Sequence, residues 1–144
     1  NGNLTNADQL KIEMFKNDRR HINTNSDTEV LLNVLADELQ RATDSIALDA
    51  ASAFTAVTKV QKRLKGSYAV VALIAGYGLL AFRDPFGIRP LCIGRMDTPN
   101  GPEWLIASES VTLEGLGFKF VRDVAPGEAI FIGLDGQFQS KLCP

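Results

Sequence analysis

The chain has 144 residues, 45% of them hydrophobic and 22% charged, a balance that suits one globular domain or a large piece of one and excludes a disordered segment. Fifteen Lys and Arg against seventeen Asp and Glu leave a net charge of -2, so no overall field attracts nucleic acid or an anionic membrane. The longest apolar run, Tyr68–Ala75, falls far short of the roughly 20 residues of a membrane helix, and no signal peptide opens the chain; a soluble, cytoplasmic protein is expected.

Asn1-Gly2-Asn3 reads as a turn-like start, and since a complete domain would lead into such a turn, the chain is expected to begin in the middle of a domain. Thr5 or Asn6 can cap a first helix reaching about Asn17, with Ala7, Leu10 and Met14 on one face. The polar stretch from Asn17 to Asn25 breaks it. That stretch holds the only histidine, His21, within Arg19-Arg20-His21; a histidine-based triad or metal cluster needs partners the sequence does not show, so a surface histidine is expected. Ser26-Asp27-Thr28-Glu29 is a capping box, in which Ser26 accepts from the third helical amide while Glu29 reaches back. It opens a second helix with Val30, Leu31, Val34, Leu35 and Leu39 inward. A third helix, from about Asp49 to Lys65, places Phe54, Val57, Val60 or Gln61, and Leu64 on one stripe and stops at Gly66 in a left-handed conformation.

Beyond Gly66 the pattern changes to short runs rich in Val, Ile and Phe separated by Gly, Pro, Asp and Asn, the signature of successive strands. Tyr68–Ala75 and Leu79–Arg83 flank the hairpin turn Gly76-Tyr77-Gly78; Leu91–Arg95 and Trp104–Ser108 follow. Ser110–Leu116 reads as a brief helix ended by Gly117, and Phe118–Arg122 and Ala129–Leu134 as strands, the last turning at Asp135-Gly136. Helices gathered ahead of a largely antiparallel sheet predict an α+β fold with helices over one face. Cys92 alternates with its neighbours in Leu91-Cys92-Ile93-Gly94 and reads as a packed strand residue. With Cys143 it forms neither a disulfide framework nor a zinc site, so both are expected as reduced thiols.

Within Arg83–Leu91, Pro85 and Pro90 fix φ, Gly87 supplies a turn, and Asp84 can bond backbone amides or pair with Arg83 or Arg89. The segment therefore reads as a rigid connection between strands, with an anion-binding loop as the other reading. Glu109 and Glu128 read as caps or ion-pair members.

Five segments together resemble class II glutamine amidotransferases, which are N-terminal-nucleophile hydrolases, and among them the amidophosphoribosyltransferase family. Asn1-Gly2-Asn3-Leu4-Thr5-Asn6 is similar to that class's His-Asn-Gly-Asn-Leu segment without its histidine, and Thr24-Asn25-Ser26-Asp27-Thr28-Glu29 to the helix start that follows. Arg83-Asp84-Pro85-Phe86-Gly87-Ile88-Arg89-Pro90-Leu91, Ala107-Ser108-Glu109-Ser110 and Asp123-Val124-Ala125-Pro126-Gly127-Glu128 resemble the amidophosphoribosyltransferase set in order and spacing. The Arg83–Leu91 segment with Pro126-Gly127-Glu128 argues against another class II member, such as a sugar-phosphate aminotransferase or asparagine synthetase. A non-catalytic interaction module that kept the fold is the alternative from a different class.

The resemblance implies part of a four-layer αββα sandwich, with residues 1–144 the C-terminal portion of one glutaminase domain and the phosphoribosyltransferase domain outside the chain. It implies hydrolysis of glutamine to supply ammonia for making 5-phosphoribosylamine from phosphoribosyl pyrophosphate in the first step of purine synthesis. By the same resemblance the Asn1 side-chain amide and the Gly2 N–H form an oxyanion hole, and Asp27 binds the substrate's α-ammonium. No cysteine here matches that class's nucleophile, so the 144 residues are expected to be inactive alone. No cofactor is implied for this part; magnesium belongs to the second domain. Glutamine, phosphoribosyl pyrophosphate and inhibitory purine nucleotides are the implied partners, with a homo-oligomeric parent.

Overall fold

The computed structural model describes residues 1–18, 20–43 and 47–144; Arg19, part of the stretch expected to break the first helix, lies outside them. A three-residue strand, β1 (Gly2–Leu4), precedes three helices: α1 (Ala7–Asp18), α2 (Asp27–Ala42) and α3 (Ala50–Arg63). Next come β2 (Gly66–Ile74), β3 (Gly78–Arg83), β4 (Cys92–Thr98) and β5 (Gly101–Ala107), the short helix α4 (Ser110–Gly115), then β6 (Lys119–Asp123), β7 (Glu128–Gly133) and β8 (Phe138–Leu142).

The strands form a five-stranded sheet in the order β1-β2-β3-β7-β8 and a three-stranded sheet in the order β5-β4-β6, with antiparallel neighbours throughout. Period-2 alternation gives the larger sheet two apolar faces. One face carries Tyr68, Leu80, Phe82 and Phe131, which pack with Val30 and Val34 of α2 and Phe54, Val57 and Val60 of α3. The other carries Ala69, Ala81 and Ile130, which pack with Leu91, Ile93, Ile106 and Val124 of the smaller sheet and its connections. Outside that sheet lies α4, whose Leu113 sits over Gly94 so closely that a Cβ there would meet its Cδ2 at 2.9 Å. The layers therefore run helix, sheet, sheet, helix, the order implied by the resemblance, whereas the residue pattern alone predicts helices over one face. Three strands do not cover five: Val71 and Leu73, on the same face as Ala69, remain 48% and 80% exposed.

Several local expectations are corrected. Asn1-Gly2-Asn3 leads into a strand rather than a turn. Gly66 is the reason: at φ +136° and without a Cβ, which would lie 2.1 Å from the Asn3 carbonyl oxygen, it lets β2 begin early and approach β1. Gly66 is thus no helix cap; α3 ends at Leu64, in extended conformation, whose N–H donates to Val60 O. Val60 and Gln61 are both buried. Ser26 Oγ accepts from Thr28 N, the second helical amide, not the third. Glu29 does not close the box on Ser26; its carboxylate accepts from Asn23 N and Thr24 N, each at 2.9 Å, and from the Thr24 hydroxyl. That grips the preceding loop one step further back. The sequence does not announce β8, because Phe-Gln-Ser-Lys-Leu is the mixed pattern of an exposed edge strand.

Candidate active site

The site is built on the open edge of β1. Ala69 N donates to Asn1 O at 2.9 Å, the Asn1 ammonium donates to Ala69 O at 3.0 Å, and Thr5 N donates to Lys65 O at 2.8 Å. Residues between these pairs, Gly2 opposite Tyr68 and Leu4 opposite Gly66, are the non-bonded pairs of the ladder. Their N–H groups project away from β2. Leu4 N–H lands on Asp27 Oδ2 at 2.9 Å. Gly2 N–H lies on the same edge, two residues away, a separation of roughly 6.8 Å at ~3.4 Å per residue. A Cβ on Gly2 would stand 3.1 Å from both Ser67 O and Tyr68 Cβ, so the tight approach favours glycine there.

Asp27 is the first residue of α2, where a carboxylate is stabilised by the helix dipole. Burial of Val30 and Val34 and the grip of Glu29 on residues 23 and 24 fix that helix end. Beyond β1, the Asn6 side-chain amide spans to α3: Nδ2 donates to Arg63 O at 2.8 Å and Oδ1 accepts from Lys65 N at 3.0 Å. The Arg63 guanidinium in turn bonds Asp37 and Glu38 of α2, each at 2.8 Å. The sequence presents Asn6 only as a cap for α1, and its carbonyl does accept from Leu10 N at 3.1 Å. Its clamp on α3 depends on a contact across 57 residues that no local pattern announces.

Asn1, Gly2 and Asp27, singled out from the sequence, border one pocket of about 110 Å³ together with Leu4, Leu31 and Val70. The residues that border it include an amide side chain (Asn1), a hydroxyl (Thr28) and a carboxylate (Asp27), beside the apolar Leu4, Leu31 and Val70. Such a pocket suits a short zwitterion with an amide tail: N–H donors can receive a developing oxyanion, and a carboxylate can receive an ammonium.

Arg83–Leu91 is scaffold. Asp84 is fully buried, with Oδ1 accepting from Phe86 N and Ile88 N at 3.0 and 3.3 Å and Oδ2 from Tyr68 N and Arg89 N at 3.3 and 3.4 Å. Arg83 bonds three carbonyls, Nε to Arg89 O and Nη1 to Val124 O at 2.6 Å and Nη2 to Gly87 O at 2.7 Å. Tyr68 is the strand partner of Gly2, so this knot holds the strand against which the site edge rests. Glu128 is an ion-pair member, its two oxygens receiving Arg122 Nη2 and Nη1 at 2.7 and 2.8 Å. Glu109 stands at the N-cap of α4 without a side-chain cap bond. His21 is exposed, edge-on to Phe15.

Cys92 and Cys143 are free thiols, 3% and 0% exposed, and neither borders the pocket of Asn1, Gly2 and Asp27. Burial pushes both thiols above the ordinary cysteine value, the reverse of what a nucleophile needs.

A double antiparallel sheet between helices, with N–H donors on a sheet edge facing a helix-borne carboxylate, is the architecture of N-terminal-nucleophile hydrolases. The family model described as a glutamine amidotransferase domain matches residues 1–115, and the chain belongs to that family. It is 51% identical over 144 residues to the amidophosphoribosyltransferase of Escherichia coli (strain K12), covering 99% of this chain and 28% of that protein. It is 49% identical over 143 residues to that of Haemophilus influenzae, with the same coverage. Among solved structures it is similar to the glutamine phosphoribosylpyrophosphate (PRPP) amidotransferase from B. subtilis complexed with ADP and GMP, with a TM-score of 0.77 and 31% identity over all of this chain and 28% of that one. The chain thus spans a little over a quarter of the length of these relatives.

Proposed function

We propose that residues 1–144 form the later part of a glutaminase domain in a longer, glutamine-dependent amidophosphoribosyltransferase. The observation that carries this reading is the single pocket bordered by Asn1, Gly2 and Asp27. Attack of a thiolate on the glutamine side-chain amide leaves a tetrahedral oxyanion. Asn1 and Gly2 stabilise that oxyanion, while Asp27 holds the α-ammonium. The thiolate comes from a cysteine other than Cys92 and Cys143, whose buried positions exclude them. Ammonia released there serves a phosphoribosyltransferase domain, which displaces pyrophosphate from phosphoribosyl pyrophosphate to give 5-phosphoribosylamine, the entry to purine synthesis.

Magnesium belongs to that second chemistry. Among the described residues no group of three or more His, Cys, Asp and Glu is placed to hold a metal ion. The ADP and GMP of the B. subtilis structure support nucleotides as partners of the whole protein, which on this reading works in the cytoplasm as a homo-oligomer. In the full-length protein, Asn1→Ala should lower glutamine-dependent turnover by about 10²- to 10³-fold, the usual cost of one oxyanion donor. Synthesis from added ammonia should stay unchanged. Equal loss of both activities would overturn the assignment.

A further inference from the structure

Asp27 does something beyond presenting a charge to the pocket. A carboxylate at the first helical position serves the helix dipole by its charge alone and needs no hydrogen bond to do so. Here its Oδ2 also receives the N–H of Leu4, 23 positions away, on the open edge of β1. That strand is three residues long and, among the described residues, bonded to a neighbour on one side only. Its position along the open edge is set by the Leu4–Asp27 bond and, past its end, by the Asn6 clamp on Arg63 and Lys65. Gly2 stands two residues from Leu4, with its N–H on that same edge.

We propose that Asp27 is a positioning residue for the Gly2 amide: through Leu4 N–H it fixes β1, and so sets the oxyanion donor at a constant distance from the carboxylate that receives the amine. The proposal rests on reading Asn1, Gly2 and Asp27 as the glutamine site. The two tasks of Asp27 do not compete. An ionised carboxylate offers about four lone-pair positions, and one suffices for Leu4. The consequence concerns specificity. Recognition of the amine and stabilisation of the oxyanion share one rigid part, so loss of Asp27 costs turnover as well as affinity.

Two substitutions separate the tasks in the full-length protein. The Asn side chain of Asp27→Asn still offers an oxygen to Leu4 N–H but no charge to an ammonium; Asp27→Ala offers neither. Both should raise the KM for glutamine by about tenfold or more, the worth of a hydrogen bond to a charged group. Asp27→Asn should keep kcat within about twofold of the parent, whereas Asp27→Ala should lower it by about tenfold or more. Amide exchange of the β1 peptide, followed by mass spectrometry, should show Leu4 protected in the parent and in Asp27→Asn, and exchanging at least about tenfold faster in Asp27→Ala. Synthesis from ammonia reports that each variant is folded. If the alanine variant loses that too, Asp27→Ser, whose shorter hydroxyl falls short of Leu4, repeats the comparison. Equal kcat in the asparagine and alanine variants, or unchanged Leu4 exchange in the latter, overturns the positioning role. An unchanged KM in both overturns the amine-binding reading alone, and the kcat and exchange comparisons still decide the positioning role.

Discussion

At the scale of single residues, much of the fold turns on groups that are small or hidden. Gly66 combines a backbone conformation that L side chains rarely adopt with an approach that leaves no room for a Cβ. Gly101 isolates the first effect from the second, with φ +109° and no atom within 4 Å of the place a methyl group would take. Gly66→Ala should therefore cost about 2–3 kcal/mol in urea denaturation, against about 1 kcal/mol for Gly101→Ala. Equal losses would mean that backbone conformation alone, and not the approach of β1, requires glycine at 66. Asp84 shows what sequence reasoning can reach at this scale. An aspartate between strands, flanked by Pro and Gly, is expected to bond backbone amides, and it bonds four. Its pairing with Arg83 does not follow, because the Arg83 fork meets three carbonyls first.

At the scale of elements, the Arg122–Glu128 pair joins β6 of the smaller sheet to β7 of the larger. Burial pushes the Glu128 carboxyl up, but the two Arg122 donors and the Ala125 N–H outweigh it and hold the carboxyl below its ordinary value of 4.5. Because the folded value lies below the unfolded one, the stabilisation is complete above the unfolded value and disappears as pH falls through the folded one. Arg122 is 42% exposed, which screens the pair, so Glu128→Gln should cost about 1–2 kcal/mol near neutrality. Below pH 4.5 the melting temperatures of parent and variant should converge. A gap that persisted or widened in acid would show that the carboxylate charge is not what joins the sheets.

The helices are legible in the sequence because each buries an apolar stripe at helical spacing, and β2 to β7 because short apolar runs sit between turn residues. β1 and β8 are not. Asn-Gly-Asn carries a turn signature and becomes a strand only because β2 lies beside it, and β8 is an edge whose outward residues are polar. In the same way Asp27, Asn1 and Gly2 can be singled out as candidates from the sequence, while the Leu4–Asp27 bond cannot. Which strand amides point outward depends on register, and register is a tertiary property.

At the scale of the whole molecule, β3 pairs with β7 and leaves β4, β5, α4 and β6 as an excursion that folds back as a second sheet. Local patterns give no account of that pairing. One cysteine lies in the smaller sheet and the other just past the last strand of the larger, at sites that open by different motions. Cys143 follows β8, its N–H donating to Gly127 O at 2.8 Å and its thiol to Phe54 O at 3.6 Å, inside the cluster between the helices and the larger sheet. Cys92 lies in the smaller sheet, in a pocket lined by Val111 and Glu114 of α4. A thiol reagent reaches the first only when the outermost strand separates, and the second when a six-residue helix lifts. Cys92 should then be modified at least about tenfold faster in the absence of denaturant, with a shallow dependence on urea, and Cys143 slowly, with a steep one. Identical rates and slopes would mean that the two sheets open as one cooperative unit. Two inert sulfurs, one in each sheet system, thus act as separate clocks for the halves of the sandwich, and their relative rates tell which half opens first.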